Sequence, residues 1–222
     1  MSIAVISHHP EPQIAVLRAG AEAAGRELTH YAGNLGQLPE RDAHEAWVVL
    51  GGAKSAYADQ ADFHDEIKAL RGAVESDVPV LAICLGSQLL SVALGGRACP
   101  GESGLEAGLI EVEAHAVDDA RVPSGTYFSF HSDTMEPPTE ATILARTDRY
   151  LQAWSYGSAL AVQFHPELDV AGFEAVLDAE EAKLERFGID VASLRADVSR
   201  PMPTPTAGEC LVGTWLRGLP TP

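Results

Sequence analysis

The stretch that most constrains this chain is Pro79-Val80-Leu81-Ala82-Ile83-Cys84-Leu85-Gly86-Ser87-Gln88. Four consecutive apolar residues, Val80–Ile83, read as a strand buried on both faces, because a half-exposed strand alternates. The chain turns at once into a helix, Gln88–Leu94, closed by Gly95-Gly96. A buried strand feeding directly into a helix is half of a parallel βαβ unit. The same pairing recurs upstream. Ile3–Ser7 and Ala46–Leu50 are short apolar runs, followed by helical spacing at Ile14, Leu17, Ala21 and Ala24, and at Phe63, Ile67, Leu70 and Val74. The pattern predicts an α/β fold with a mostly parallel central sheet and helices on both faces.

From Gly108 the pattern changes. Ile110 and Val112 alternate with Glu111 and Glu113, and strand-like runs follow at Tyr127–Phe130, Thr142–Ala145, Gln152–Tyr156 and Leu160–Phe164. Helical periodicity returns at Phe173, Val176, Leu177, Leu184 and Phe187. Arg200–Thr206 is a polyproline-like spacer. Leu211, Val212, Trp215 and Leu216 then predict a closing amphipathic helix, with Thr206 and Glu209 at capping-box spacing. The spacer lies too near the C-terminal end to separate a second domain. A single domain over 1–222 is expected, with 188–222 as spacer and helix within it.

Charge narrows the function. Lys and Arg number 15 against 32 Asp and Glu, a formal charge of −17. A nucleic-acid surface needs clustered basic residues to displace counterions, so nucleic acid is not an expected partner. Six acids and no Lys or Arg fall between Gly101 and Ala120; they fit a solvated surface or a docking face for a basic partner. No apolar run approaches the roughly 18–20 residues of a membrane span. The opening MSIAVISHHPEP has no basic n-region, so a cytoplasmic protein is expected. Cys84, Cys99 and Cys210 are odd in number and lack CxxC spacing, which argues against a disulfide framework or zinc ribbon.

Cys84 sits where the buried strand meets the helix. On its own it fits either a small buried hydrophobe or a nucleophile at a strand–helix elbow. In the second case the helix N-terminus favours thiolate and aims free N–H groups at a developing oxyanion. A thiol nucleophile needs a base held in place. Leu160–Glu167 (LAVQFHPE) ends a strand at His165, and the i, i+2 spacing lets Glu167 orient the imidazole. Gly51-Gly52, directly after a buried strand, form a plain turn or a place where backbone approaches a ligand. His131 and Asp133 also have i, i+2 spacing, but no third ligand stands at a convincing distance. His8-His9, His30, His44, His64 and His115 are scattered, so no metal site is expected.

Together these segments resemble the class I glutamine amidotransferases, nearest the stand-alone, GMP-synthase-like glutaminases. The resemblance is carried by VLGGAKSAY (Val49–Tyr57), AICLGSQLLSVALGG (Ala82–Gly96), PGESGLEAGLIEV (Pro100–Val112), FHSDTMEPP (Phe130–Pro138) and AVQFHPEL (Ala161–Leu168). It implies a flavodoxin-like fold with Cys84 as nucleophile, His165 as acid–base and Glu167 as its orienting carboxylate. It implies an oxyanion hole from the N–H groups of Gly52 and Leu85. The same resemblance gives a substrate pocket formed by Gly51, Gln88, Phe130, His131, Ser132 and Asp133. Ser87, Phe130 and Ser132 depart from residues common in relatives, which bears on pocket shape. The implied reaction is cofactor-free hydrolysis of the side-chain amide of L-glutamine through a thioester on Cys84. Three roles compete: a glutaminase passing ammonia to a separate synthase, a free-standing hydrolase of γ-glutamyl amides, and a binding module with a quiet cysteine.

Overall fold

The structure is a computed structural model and describes residues 2–114 and 121–220. His115 and the last part of the acidic block lie outside the described residues. The amino-terminal part alternates strand and helix: β1 (Ser2–Ser7), α1 (Ala15–Ala23), β2 (Glu27–Ala32), β3 (Ala46–Val49), α2 (His64–Glu75), β4 (Val80–Ile83) and α3 (Leu85–Ala93). Seven strands follow: β5 (Arg97–Pro100), β6 (Glu106–Ala114), β7 (Gly125–His131), β8 (Asp133–Glu136), β9 (Thr142–Arg146), β10 (Leu151–Tyr156) and β11 (Ala159–Val162). Four helices close the chain: α4 (Val170–Ala179), α5 (Glu181–Arg186), α6 (Val191–Val198) and α7 (Ala207–Gly218).

Among the described residues the main sheet has nine strands in the order β2-β1-β3-β4-β11-β10-β9-β6-β7. The run from β2 to β11 is parallel. From β11 onward each pairing is antiparallel. The antiparallel half curls back on the parallel half. The N–H of His165, just beyond β11, donates to the carbonyl of Phe128 in β7 at 2.8 Å. The far end of the strand order is thereby tied to the centre of the sheet at the base of the site.

The apolar strands are buried on both faces because their side chains alternate between two helix layers. Ile3, Val5, Val48, Leu81, Ile83, Leu160 and Val162 share one cluster with Leu17 of α1 and Leu211, Val212, Trp215 and Leu216 of α7. Ala4, Ile6, Trp47, Val49, Val80, Ala82 and Ala161 face the other way, against Leu70 of α2 and Leu89 of α3. A third cluster joins Phe128 and Phe130 of β7 to Phe173, Leu177 and Leu184 of α4 and α5.

Three elements had no clear signal in the sequence. Among the described residues strand β2 pairs only with β1, and it is largely exposed, so it lacks an apolar run. The two-stranded ribbon of β5 and β8 is short. Helix α6 has one fully buried residue, Val198. The periodicity from Phe173 to Phe187 belongs to two helices, broken at Glu180. Among the described residues no helix is long and apolar enough to cross a membrane.

The capping box at α7 is formed. The Glu209 N–H donates to Thr206 Oγ1 at 3.1 Å, and the Thr206 N–H donates to Glu209 Oε2 at 2.6 Å. This matters to the site because α7 begins against it. A Cβ on Gly208 would lie 2.8 Å from the Pro166 carbonyl oxygen, between His165 and Glu167. Thr206→Ala is expected to cost about 1 kcal/mol in urea denaturation.

Candidate active site

The parallel strands bring their carboxyl ends to one edge of the sheet. Ser7 and His8 stand at the end of β1, Leu50-Gly51-Gly52 follow β3, Cys84 follows β4 and His165 lies beyond β11. Chain order reverses between β1 and β3, since β2 lies on one side of β1 and β3 on the other. Such a switch point opens a crevice above the sheet. Here it holds a cavity of about 310 Å3, with Cys84, His165 and Glu167 in its wall.

Cys84 has φ +52° and ψ −109°, a conformation a residue with a Cβ rarely adopts. The corner is held from below. A Cβ on Gly86 would lie 2.3 Å from the Val49 carbonyl oxygen, so α3 starts close against β3 only because residue 86 is glycine. The Ser87 hydroxyl donates to the Cys84 carbonyl at 2.7 Å, a bond that Ala or Met at this position could not make. The Cys84 Sγ lies 3.9 Å from the Phe130 carbonyl oxygen.

His165 and Glu167 are both buried, with Nδ1 and Oε1 2.8 Å apart. The Val16 N–H donates to the Glu167 carbonyl at 3.1 Å, so α1 and α7 grip the His-Pro-Glu turn from two sides. Burial alone pulls the proton affinity of His165 down. The charges of Glu167 and Cys84, with hydrogen bonds to both, outweigh it and hold the imidazole well above its usual range. The site therefore favours a protonated ring beside the sulfur.

Gly51 and Gly52 separate these groups from β1. A Cβ on Gly51 would meet His165 Cε1 at 3.1 Å and Cys84 Cβ at 3.4 Å. A Cβ on Gly52 would meet the Cβ of His8 at 2.7 Å and Leu85 Cδ2 at 2.8 Å. Gly52 and Leu85 are thus packed together beside Cys84. Phe130 is also in the cavity wall.

Five residues implied by the resemblance are not in that wall: Leu85, Gln88, His131, Ser132 and Asp133. Gln88 is buried and its amide lies 3.4 Å from the Gln163 side-chain oxygen. His131 is buried. Its Nε2 is 3.1 Å from Glu106 Oε2 and its Nδ1 is 2.9 Å from the Asp133 carbonyl. Ser132 is half-buried, and Asp133 opens the ribbon with β5. Glu106 also accepts from Gln152 at 2.8 Å and Ser129 at 3.1 Å. Burial raises the Glu106 carboxyl, but these bonds and His131 bring it below its usual range. This network supports the backbone next to Cys84 rather than lining the cavity.

Two histidines read as scattered differ from each other in place. His9 is exposed, whereas the His8 side chain is buried against Glu66; both form part of the cavity wall. Its position at the carboxyl end of a buried parallel strand was the available signal. Cys99 and Cys210 lie outside the cavity wall. Burial, followed by the nearby Glu136 carboxylate, pushes the Cys99 thiol up.

The Glutamine amidotransferase class-I family profile matches residues 21–177, and the chain belongs to that family. It is 30% identical over 148 residues to Gamma-glutamyl peptidase 5 of Arabidopsis thaliana, covering 60% of this chain and 58% of that protein. It is 36% identical over 158 residues to a glutamine-hydrolyzing GMP synthase of Aeropyrum pernix, covering 64% of this chain and 29% of that one. The chain therefore spans under two thirds of either relative. It is 32% identical to one of the subunits of the glutamine-hydrolyzing GMP synthase of Ignicoccus hospitalis, covering 68% of this chain and 78% of that one. A solved glutamine amidotransferase from Thermotoga maritima has the same fold. Its TM-score is 0.86 at 24% identity, over 98% of this chain and 99% of that one.

Two outcomes test the geometry. Gly86→Ala is expected to destabilise by about 1–3 kcal/mol in denaturant titration, because Val49 backbone must move. Glu167→Gln removes the charge that favours the imidazolium. His165 is expected to lose its proton at a lower pH than in the parent, measured by NMR titration of its ring.

Proposed function

We propose that this chain hydrolyses the side-chain amide of L-glutamine and releases glutamate and ammonia. The observation that carries the reading is the meeting of Cys84 and the His165–Glu167 pair in one cavity, with the cysteine on a strained strand–helix corner. Family membership supports it.

In the proposed reaction His165 carries the proton and Cys84 is the thiolate. The sulfur attacks the γ-carbonyl carbon, and the carbonyl electron pair moves onto oxygen. The Gly52 and Leu85 N–H groups stabilise that oxyanion. On collapse the C–N bond breaks, and His165 gives its proton to the departing nitrogen as ammonia. A γ-glutamyl thioester remains on Cys84. Water then attacks, His165 takes its proton, and the C–S bond breaks to give glutamate and the starting ion pair. These steps require no cofactor. Glu167 keeps the ring oriented throughout. The ammonia passes to a separate synthase.

A second reading has its own support. Pro12, Leu168, Ala175, Val176 and Ala179 give the cavity an apolar wall. Much of it comes from this chain's own α4, which suits a free-standing hydrolase of larger γ-glutamyl amides. The similarity to a plant γ-glutamyl peptidase agrees with this.

One assay separates the two. Purified protein is offered glutamine, γ-glutamylmethylamide and γ-glutamyl-leucine, and the released amine is measured. Weak glutamine turnover that rises only with an added synthase supports the first reading. A higher kcat/KM for γ-glutamyl-leucine than for glutamine, without a partner, supports the second. Cys84→Ala is expected to lower every turnover by about 10³-fold or more. A Cys84→Ala protein as active as the parent would sink both.

A further inference from the structure

His8 and Glu66 form a buried ion pair that the proposed reaction does not use. Their side chains are each only 4% exposed. His8 Nδ1 is 3.1 Å from the Leu50 carbonyl oxygen. Its Nε2 is 3.0 and 3.1 Å from the two oxygens of Glu66. A carbonyl oxygen can only accept, so Nδ1 carries a hydrogen. A carboxylate accepts as well, so Nε2 carries one too. An imidazole that donates from both nitrogens is an imidazolium.

The surroundings enforce this arrangement. The His8 and Phe63 rings meet edge to face at a centroid distance of 5.7 Å. Gly33 closes the other approach: a Cβ there would lie 3.3 Å from both His8 Nε2 and Glu66 Oε2. Burial lowers the proton affinity of His8, but the Glu66 bond and charge, then the carbonyls of Leu50 and Gly51, raise it above the usual histidine value. A charge-assisted bond is roughly twice as strong as a neutral one. The Leu50 carbonyl is therefore anchored to α2 through His8. Two residues on, Gly52 packs against the Cβ of the same histidine.

We infer that His8, held as a double donor by Glu66, is a positioning residue for the Leu50–Gly52 segment and sets where the Gly52 amide stands relative to Cys84. The catalytic consequence rests on the amide-hydrolysis reading above, in which Gly52 faces the oxyanion. The positional consequence does not. Loss of the anchor lets the carboxyl end of β3 move while Cys84, His165 and Glu167 keep their own supports. An oxyanion donor that is lost altogether costs about 10²–10³ in kcat; a donor that is loosened costs less.

The test compares the parent with His8→Leu, His8→Asn and Glu66→Gln. An asparagine amide can occupy the Nδ1 position and still donate to Leu50. A glutamine at 66 can donate to Nε2 of a neutral ring whose Nδ1–H stays on Leu50. Hydrogen exchange of the 50–53 amides is read first. His8→Leu is expected to speed it about tenfold, with 83–87 unchanged and with His8→Asn and Glu66→Gln near the parent. In turnover, His8→Leu is expected to lose about 10–10²-fold in kcat, with KM within about threefold and the rate of Cys84 alkylation by iodoacetamide within about twofold. His8→Asn restores most of the kcat.

Unchanged exchange at 50–53 in His8→Leu overturns the inference. So does a loss of alkylation equal to the loss of kcat, which would make His8 a partner of the sulfur. If His8→Leu does not fold, a folded His8→Asn protein whose 50–53 amides exchange about tenfold faster than the parent also overturns it. A parent with no amide turnover defeats the function reading alone, since the exchange result still decides whether His8 positions the segment.

Discussion

A cysteine with positive φ has no local reason to stay there. What keeps Cys84 in place is the contact beneath it, where Gly86 rests on the Val49 carbonyl and leaves no room for a side chain. The backbone of α3 cannot lift without losing the packing of Leu85 and Leu89, and it cannot sink further. The strain is thus held by close packing, which is how strained conformations persist in folded proteins. The sulfur is delivered to the cavity, the first turn of α3 points its N–H groups the same way, and the neighbouring strand ends bring the other groups to it.

Around that corner the structure repeats one device. A buried histidine is set between a carboxylate and a main-chain carbonyl or the Cys84 sulfur. His165 stands between Glu167 and Cys84, His8 between Glu66 and the Leu50 carbonyl, and His131 between Glu106 and the Asp133 carbonyl. His8 and His131 are bonded through both ring nitrogens and His165 through Nδ1, which is what allows polar groups to be buried so deeply. One faces the sulfur. The other two hold the backbone segments on either side of it. The negative total charge of the chain does not extend into this region through these carboxylates: each of the three acids has a histidine partner.

The parts of this design that could be read from the sequence are those fixed by local rules. Four apolar residues ending at a Cys-Leu-Gly turn specify a buried strand and a sharp corner. His-Pro-Glu at the end of another such strand places two side chains together. The C-terminal capping box was equally legible, since Thr206 and Glu209 meet within one turn. Other features depend on what lies far away in the chain. Glu27–Ala32 is a strand because β1 offers an edge, not because its residues demand it. Gln88 and His131 belong to segments the resemblance assigns to the pocket, yet partners far along the chain, Gln163 for the first and Glu106 for the second, decide where they face. His8 looked like one of several isolated histidines. Its partner is in α2, and nothing near residue 8 announces Glu66.

The position of β11 has a consequence for how the molecule comes into being. In the finished sheet β4 lies between β3 and β11, and Val80 pairs with Ala159. During synthesis β3 and β4 leave the ribosome long before β11 exists. Until then β4, apolar on both faces, has an open edge on the side where His165 will arrive. Such an edge can recruit strands of other chains. A nascent chain therefore carries its cysteine corner before it has either His165 beside it or a strand to shield it. Long-range closure of this kind is slow, and it makes completion of the site and protection of the sheet edge the same event.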